Sequence, residues 1–130
     1  MTTSDNHLLI EHKNALGIII LNRLASLNAL SLEMINAIRQ QVEDWQDDVN
    51  VQAILIKSNS PKAFCAGGDI RYLYESYKSG SEEYKDYFIA EYEMLNSIRT
   101  SKKTVIVLLD GYVLGGGFGL AQACHILVSS

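Results

Sequence analysis

The first part of the chain alternates short hydrophobic runs with polar residues and then changes to a helical repeat. Hydrophobic runs at residues 8–10 and 16–21 are separated by His12, Lys13 and Asn14, an interruption that predicts a β-hairpin. From Ser31 onwards, hydrophobic residues recur at spacings of three and four, at Leu32, Ile35, Ile38, Val42 and Trp45. This spacing predicts an amphipathic helix, with Ser31 as its N-cap.

The remainder of the chain predicts strands that alternate with helices. Three further strands are predicted, at residues 51–57, 104–109 and 125–128. The second of them is a continuous β-branched run, so we expect it to be covered on both faces, and we expect the third to be buried. Helices are predicted to follow Asp69, to start near Tyr84 and to run from Gly116 to Cys124. This alternation predicts an α/β architecture with a largely parallel sheet.

The predicted helix at residues 82–99 carries a carboxylate beside its hydrophobic stripe. The hydrophobic positions taken for that stripe are Tyr84, Phe88, Leu95 and Ile98, and Glu91 fills the gap between them. A buried acid is costly unless it is paired or functional, so Glu91 is a candidate site residue. The alternative is that Glu91 lies at the edge of the stripe while Tyr92 faces inward, and periodicity alone leaves both open.

Two glycine-bearing segments each stand between a hydrophobic run and an amphipathic one. They are AFCAGGDIR at residues 63–71 and DGYVLGGGFG at residues 110–119. Such turns can expose backbone N–H groups, and two converging N–H groups can bind the negative charge that develops on a carbonyl oxygen. The structural alternative is that the glycines only let a helix pack closely on the sheet. If the segments converge, they favour an enzyme that acts on a carbonyl compound.

The second glycine segment does not match the common phosphate-binding loops. A Walker loop that begins at Gly111 requires a lysine after Gly116, where Gly117 stands. The dinucleotide fingerprint that begins at Gly115 requires a glycine at the position of Leu120. Both phosphate-loop interpretations are therefore excluded for this segment.

Composition narrows the classes of partner. The 130 residues carry a net charge of −4 with 48% hydrophobic residues, which suits a globular core but offers no basic stripe for nucleic acid. No hydrophobic run approaches the roughly 20 residues of a membrane span, and the polar start lacks the hydrophobic core of a signal peptide. We therefore expect a cytoplasmic protein that binds neither nucleic acid nor membrane.

The cysteine, histidine and aspartate side chains discussed next offer few alternative candidates for a catalytic or metal site. Cys65 lies at the end of an apolar strand with no His near it in sequence, so we interpret it as a small buried side chain and not as a nucleophile. Cys124 and His125 are interpreted as core residues, because sequence neighbours do not face each other. No spacing of Cys or His indicates a metal site. Asp69 alone would be interpreted as an N-cap.

Three segments of the chain resemble the crotonase superfamily of acyl-CoA enzymes. They are LNRLASLNALSLEM (residues 21–34), KAFCAGGDIR (residues 62–71) and LLDGYVLGGGFGLA (residues 108–121), and they occur in the order and spacing of that superfamily. The resemblance implies a spiral of repeated β-β-α units that forms a homo-oligomer and binds acyl-CoA. Coenzyme A enters as part of the substrate, so no separate cofactor is expected.

The resemblance also implies roles for individual residues. By position, the N–H groups of Gly68 and Gly116 are the two oxyanion donors. Contacts to adenine and pantetheine are implied around Ala66, Gly68, Asp69, Ile70 and Arg71. The loop at residues 23–27 should also approach the coenzyme. There the chain departs from the usual pattern, with Leu24 in place of a proline and Ala25 in place of a basic residue.

One position separates the branches of the superfamily. Hydratases carry a catalytic glutamate two positions after the glycine triplet, where this chain has Gly119. The GGGFGL form, together with CAGGDIR and YFIAEYEML, instead resembles the 3-hydroxyisobutyryl-CoA hydrolases of valine catabolism. In that family the glutamate that matches Glu91 contacts the substrate. The resemblance therefore implies hydrolysis of a short 3-hydroxyacyl-CoA thioester.

Two other functions stay open at this point. One is an enoyl-CoA hydratase or isomerase that takes its acid or base from elsewhere in the chain. The other is a non-catalytic segment that only binds acyl-CoA or oligomerises. We expect residues 1–130 to be the N-terminal part of a crotonase-like domain, because a predicted strand stands two residues before the end and the remaining acidic residues of the hydrolase family would follow Ser130. Alone, this part is expected to be inactive.

Overall fold

The computed structural model describes residues 7–60, 62–65, 67–110, 112–113 and 116–129. Within these ranges the strands are β1 (Leu8–Lys13), β2 (Leu16–Leu21), β3 (Ala53–Ser58), β4 (Ala63–Cys65), β5 (Thr104–Leu109), β6 (Tyr112–Val113) and β7 (Ile126–Ser129). The helices are α1 (Leu32–Trp45), α2 (Ile70–Lys78), α3 (Glu83–Arg99) and α4 (Gly116–Ala123), with a short 3-10 helix at Leu24–Ser26. The predicted α/β architecture is confirmed.

The strands form two sheets. The larger sheet has the order β1-β2-β3-β5-β7, with β1 antiparallel to β2 and every other pair parallel. This arrangement confirms the predicted hairpin and the largely parallel sheet. The smaller sheet pairs β4 with β6 in parallel, and its carboxyl edge leads into the two glycine segments.

Helix α1 forms for the reasons that its sequence indicates. The Ser31 hydroxyl accepts a hydrogen bond from the Met34 N–H at 3.2 Å, as an N-cap does. The helix buries one stripe, at Met34, Ile35, Ile38, Val42 and Trp45. The Trp45 ring lies directly on Gly17 of β2, because a Cβ at that glycine would come within 2.7 Å of the ring. Four of the five predicted core positions are therefore buried, and Leu32 is half-buried.

The hydrophobic stripe predicted for α3 is wrong at Phe88, whereas Ile98 is buried as predicted and Tyr84 and Leu95 are half-buried. The buried positions are Tyr87, Ala90, Met94 and Ile98, whereas Phe88 is 54% exposed. Aromatic and aliphatic residues lie on both faces of this helix, so hydrophobicity alone does not identify the face that packs. The packing against α1 and α2 decides the face instead.

Two predictions about the last strands are also wrong. Strand β5 buries Val105 and Val107 completely, but Ile106 on the opposite face is only partly covered. Strand β7 lies at the edge of the sheet, and its side chains are exposed. His125 is exposed as well and is not a core residue. Its Nδ1 accepts a hydrogen bond from the Val105 N–H at 3.0 Å. This hydrogen bond connects the residue before β7 to β5.

The described residues contain neither a membrane-spanning helix nor a cluster of metal ligands. None of the described helices is both long and apolar enough to cross a bilayer. No three His, Cys, Asp or Glu side chains in the described ranges lie together as metal ligands would.

Candidate functional site

The smaller sheet directs both glycine segments to one edge. Cys65 of β4 pairs with Val113 of β6 in a parallel register. Gly68 comes three residues after Cys65, and Gly116 comes three residues after Val113. Because the carboxyl ends of parallel strands meet at the same edge, the two predicted donor residues leave the sheet on the same side. Helix α4 also packs against β4.

Helix geometry determines what Gly116 offers. Helix α4 begins at Gly116, and the first N–H groups of an α-helix have no acceptor within it. The helix dipole adds partial positive charge at the same end. The start of α4 is therefore suited to a negatively charged or polarised oxygen.

Gly68 is held in a short bridge to Leu30. The Leu30 N–H donates to the Gly67 carbonyl at 2.7 Å, and the Asp69 N–H donates to the hydroxyl of Tyr87 at 3.2 Å. Gly67 has a φ of 100°, a conformation that favours glycine. The Gly68 N–H itself has no acceptor among the described residues. It is therefore available to a ligand.

Asn28 is the residue that sequence reasoning missed. It is completely buried, and its Oδ1 accepts from the Arg23 N–H at 2.7 Å. Its Nδ2 donates to the Ser58 hydroxyl at 2.7 Å and to the Phe64 carbonyl at 3.0 Å. Asn28 thus joins the loop after β2 to strands β3 and β4. The available signal was an asparagine between hydrophobic residues, since asparagine tolerates the positive φ of 61° found there.

Asp69 has two partners. Its Oδ1 accepts from the Tyr72 N–H at 3.2 Å, so the predicted N-cap of α2 is confirmed. Its Oδ2 forms an ion pair with Arg23 at 3.1 Å, and Arg23 also donates to the Ala29 carbonyl at 2.9 Å. The ion pair connects the loop after β2 to the start of α2.

An open cleft lies beside this ion pair. It is lined by Arg23, Ser26, Asp69, Arg71, Tyr72 and Glu75. The cleft therefore brings the loop at residues 23–27 together with Asp69 and Arg71, three of the predicted coenzyme contacts. Ile70 is 76% exposed and is not among the residues that line the cleft. Ala66 lies outside the described residues.

Glu91 lies beside the buried stripe of α3. It is half-buried, whereas Tyr92 is 65% exposed, so the alternative in which Tyr92 faces inward is wrong. Burial raises the pKa of the Glu91 carboxyl. In the part of the chain that the structure describes, this carboxyl has no hydrogen-bond partner. Glu91 lies one helical turn after Tyr87, whose hydroxyl is next to Gly68, so both side chains are on the same side of α3.

Cys65 has the properties of a packed thiol. It is completely buried, and its Sγ lies 3.1 Å from the Asn28 carbonyl. Burial raises the pKa of this thiol to about 11. At neutral pH the thiol is protonated and hence a poor nucleophile, in agreement with its interpretation as a small buried side chain.

Helix α4 contains no acidic or basic side chain. Its sequence is GGFGLAQA, and Gly119 occupies the position where the resemblance implies a glutamate in hydratases. A Cβ built on Gly119 meets no heavy atom within 4 Å. The missing carboxylate is therefore not excluded by crowding.

Comparison with known proteins identifies the family. A family model described as enoyl-CoA hydratase/isomerase matches residues 16–130. The chain belongs to this family. The resemblance to the crotonase superfamily is thereby confirmed, and the family also includes relatives with hydrolase names.

Relatives that are similar in sequence to this chain carry a hydrolase name. The chain is 42% identical over 129 residues to "3-hydroxyisobutyryl-CoA hydrolase, mitochondrial" of Gallus gallus, covering 99% of this chain and 34% of that protein. It is 39% identical over 120 residues to the protein of the same name from Homo sapiens, covering 92% of this chain and 31% of that protein. The chain thus spans about a third of the length of these relatives.

Solved structures confirm the crotonase-like fold. An enoyl-CoA hydratase from Rhodobacter sphaeroides 2.4.1 superposes with a TM-score of 0.90 at 33% identity, covering 95% of this chain and 37% of that chain. A carnitinyl-CoA dehydratase from Mycobacterium thermoresistibile superposes with a TM-score of 0.92 at 27% identity, covering 96% of this chain and 37% of that chain.

Proposed function

We propose that the whole protein hydrolyses the thioester of a short 3-hydroxyacyl-CoA, with 3-hydroxyisobutyryl-CoA as the substrate to test first. The observation that carries this proposal is the absence of any carboxylate from α4, where Gly119 replaces the hydratase glutamate. The hydrolase names of the relatives at about 40% identity support it. We further propose that the active form is a homo-oligomer.

The reaction needs a site that stabilises negative charge on the thioester oxygen. Water attacks the carbonyl carbon and gives up a proton to the solvent, and the π electrons move to the oxygen to form a tetrahedral oxyanion. The N–H groups of Gly68 and Gly116 would donate hydrogen bonds to this oxyanion. Collapse re-forms the carbonyl, breaks the carbon–sulfur bond and releases the thiolate of coenzyme A, which takes up a proton. Loss of one such donor typically costs about 3 kcal/mol of transition-state stabilisation.

Glu91 would contact the acyl group. Its carboxyl is half-buried and free of partners among the described residues, so it can accept a hydrogen bond from a substrate hydroxyl. The raised pKa of this carboxyl also brings it closer to the range in which a side chain exchanges protons near neutral pH. Both properties fit a short 3-hydroxyacyl group.

The open cleft would bind the coenzyme portion. Arg71 supplies a cation in its lining, whereas Leu24 and Ala25 cannot form ion pairs with phosphate. Arg23 is already paired with Asp69. We therefore propose that Arg71 is the main contact of this cleft with the phosphates.

The direct experiment compares two reactions of the whole protein. Release of free thiol from 3-hydroxyisobutyryl-CoA measures hydrolysis, and loss of the conjugated absorbance of crotonyl-CoA measures hydration. We expect a higher kcat/KM for hydrolysis. A preference for hydration would overturn the proposal.

A hydratase is the second candidate, because the solved structures with this fold include a hydratase at 33% identity. The variant Gly119→Glu separates the two functions, since a Cβ at this position meets no heavy atom within 4 Å. If Gly119 is the reason for weak hydration, the variant should hydrate crotonyl-CoA faster than the unmodified protein. The matched variant Gly119→Gln supplies similar bulk without the charge. Robust hydration before the substitution would favour the hydratase.

A further inference from the structure

Tyr87 connects three parts of the candidate site through one hydroxyl group. The residue lies on α3, and its side chain is completely buried. Its hydroxyl donates to the carbonyl of Leu30 and accepts from the N–H of Asp69 at 3.2 Å. The helix, the segment before α1 and the first glycine segment therefore meet at this oxygen.

These hydrogen bonds decide which way the Gly68 N–H points. The carbonyl of Gly67 and the N–H of Gly68 belong to one trans peptide, and the two groups of a trans peptide point in opposite directions. The Gly67 carbonyl is bound by the Leu30 N–H at 2.7 Å, and the Asp69 N–H is bound by the Tyr87 hydroxyl. Both of these groups therefore point towards Leu30 and Tyr87. The N–H of Gly68, which lies between them, must point away, towards the side left open for a ligand.

The Tyr87 hydroxyl also occupies the space beside Gly68. A Cβ at position 68 would lie 3.1 Å from the hydroxyl oxygen. Because the tyrosine ring is completely buried and packs against Tyr72 at 5.9 Å and Phe88 at 6.1 Å between ring centroids, the oxygen has little freedom to move. The phenol thus contacts the donor residue itself and restrains its backbone.

The protonation state of the phenol limits what it can do. Burial raises the pKa of Tyr87 to about 12, with the nearby charge of Glu91 as a smaller contribution in the same direction. The hydroxyl therefore keeps its proton at neutral pH, and that proton is directed at the Leu30 carbonyl. A general-base role for Tyr87 is inconsistent with this arrangement, whereas a fixed hydrogen-bonding role is consistent with it.

We propose that Tyr87 is a positioning residue for the reaction, whose hydroxyl holds the backbone around Gly68 so that the Gly68 N–H meets the thioester oxyanion. This inference rests on the function proposed above. It predicts a specific kinetic effect: a misdirected oxyanion donor weakens binding of the transition state more than binding of the substrate.

The test is Tyr87→Phe in the whole protein, which removes one oxygen atom and keeps the ring. We expect kcat for thioester hydrolysis to fall about tenfold, less than the hundredfold or more that follows complete loss of an oxyanion donor. KM should change less than about twofold. The matched control is Tyr84→Phe on the first turn of the same helix, whose ring packs on Tyr77 at 5.8 Å, and its kcat should stay unchanged. An unchanged kcat in Tyr87→Phe would overturn the proposal.

Amide hydrogen exchange followed by NMR gives a readout that does not depend on activity. In Tyr87→Phe the Asp69 N–H loses its acceptor, so its exchange should become about tenfold faster or more, while the amides in the middle of α3 keep their rates. Unchanged exchange at Asp69 would overturn the anchoring role even if kcat fell. If the unmodified protein shows no hydrolysis, the proposed function fails, and the exchange measurement still decides whether Tyr87 holds this backbone.

A second variant pair checks the contact between the hydroxyl and Gly68. Gly68→Ala places a methyl group 3.1 Å from the hydroxyl oxygen. In the Tyr87→Phe background that oxygen is absent, so the same substitution should lower the melting temperature less than in the unmodified protein. Equal decreases in both backgrounds would show that the hydroxyl does not restrain Gly68 and would overturn the proposal.

Discussion

The two glycine segments offer backbone N–H groups at the same sheet edge, but they are held there in different ways. The N–H of Gly68 is oriented by long-range hydrogen bonds of its neighbours Gly67 and Asp69 to Leu30 and Tyr87, and Asn28 holds the preceding strand β4. The N–H of Gly116 owes its availability to its place at the start of α4, which is a local property of any helix. The first segment therefore depends on the packing of distant elements, and the second depends mainly on its own helix.

This difference has a consequence for mutations. Substitutions around Gly68 should be costly even when they lie far from it in sequence, because its supports come from separate elements. Substitutions at the exposed positions of α4 should be tolerated as long as the helix forms, whereas Leu120 and Ala121 belong to the buried core. The predictions below test this contrast, from the largest expected effect to the smallest.

The largest effect is expected for Asn28→Ala. The variant loses the hydrogen bonds to the Arg23 N–H, the Ser58 hydroxyl and the Phe64 carbonyl, and it leaves buried polar groups unpaired. We expect the free energy of unfolding to fall by about 3 kcal/mol, as measured by urea denaturation. The matched control is Asn14→Ala, since Asn14 has a similar φ of 56° in an exposed turn. A similar loss in both variants would mean that backbone strain, and not the network, stabilises the first segment.

The buried thiols should make stability fall in alkali. Burial raises the pKa of Cys65, before the first segment, from 9.0 to about 11, and that of Cys124, after α4, to about 12. Between pH 9 and these raised pKa values, the two thiols have lost their protons in the unfolded chain but keep them in the folded chain. The contribution of each thiol to the free energy of unfolding is therefore fully present below pH 9 and decreases above it by about 1.4 kcal/mol per pH unit.

Denaturation curves at several pH values between 9.0 and 10.0 measure this slope below the range in which Tyr87, whose pKa burial raises from 10.0 to about 12, contributes to it. The variants Cys65→Ala and Cys124→Ala should each flatten it by a similar amount, since both thiols are buried in their respective regions. A slope that survives in the double variant would assign the alkaline loss of stability to other groups.

The pair Gly68→Ala and Gly119→Ala compares the two segments directly. A Cβ at Gly68 would lie 3.1 Å from the Tyr87 hydroxyl, whereas a Cβ at Gly119 meets no atom within 4 Å. We expect Gly68→Ala to lower the free energy of unfolding by about 1–2 kcal/mol. Gly119→Ala should raise it by up to about 1 kcal/mol, because alanine favours a helix interior. Thermal unfolding of both variants checks the sign, and equal effects would abolish the contrast.

The smallest effect is expected at the N-cap of α2. Asp69→Ala removes both the cap hydrogen bond to the Tyr72 N–H and the ion pair with Arg23, at a cost of about 1 kcal/mol. Asp69→Asn keeps a cap acceptor and should lose less. Glu82→Ala is the control, because Glu82 precedes α3 without a cap hydrogen bond and forms only an exposed pair with Lys85. Equal losses at Asp69 and Glu82 would contradict the proposed importance of the cap.

Some predictions made from the sequence stay predictions. They include the cytoplasmic location, the homo-oligomer and the assignment of residues 1–130 to the N-terminal part of one domain. The roles of Gly68, Gly116 and Glu91 in a reaction also await the experiments above. For Ala66, which lies outside the described residues, the predicted coenzyme contact has no structural description.

Local signals in the sequence were sufficient for most of the fold. The hairpin of β1 and β2, helix α1 with its Ser31 cap and the Asp69 cap of α2 follow from patterns of a few neighbouring residues. The three motifs also identified the superfamily, because glycines and polar residues at fixed spacings are typical of a particular backbone geometry. These features depend on contacts within one element or one turn.

Only the tertiary structure decided which residues meet at the site. The sequence placed the stripe of α3 on Phe88, whereas packing buries Tyr87 and leaves Phe88 exposed. The sequence pattern also did not show that Asn28 would bind the carbonyl of Phe64, or that the hydroxyl of Tyr87 would bind the N–H of Asp69. The physical reason is that hydrophobic periodicity shows which positions of a helix are apolar. Which face is buried, and which hydrogen bonds it forms, depends on the elements that pack against the helix.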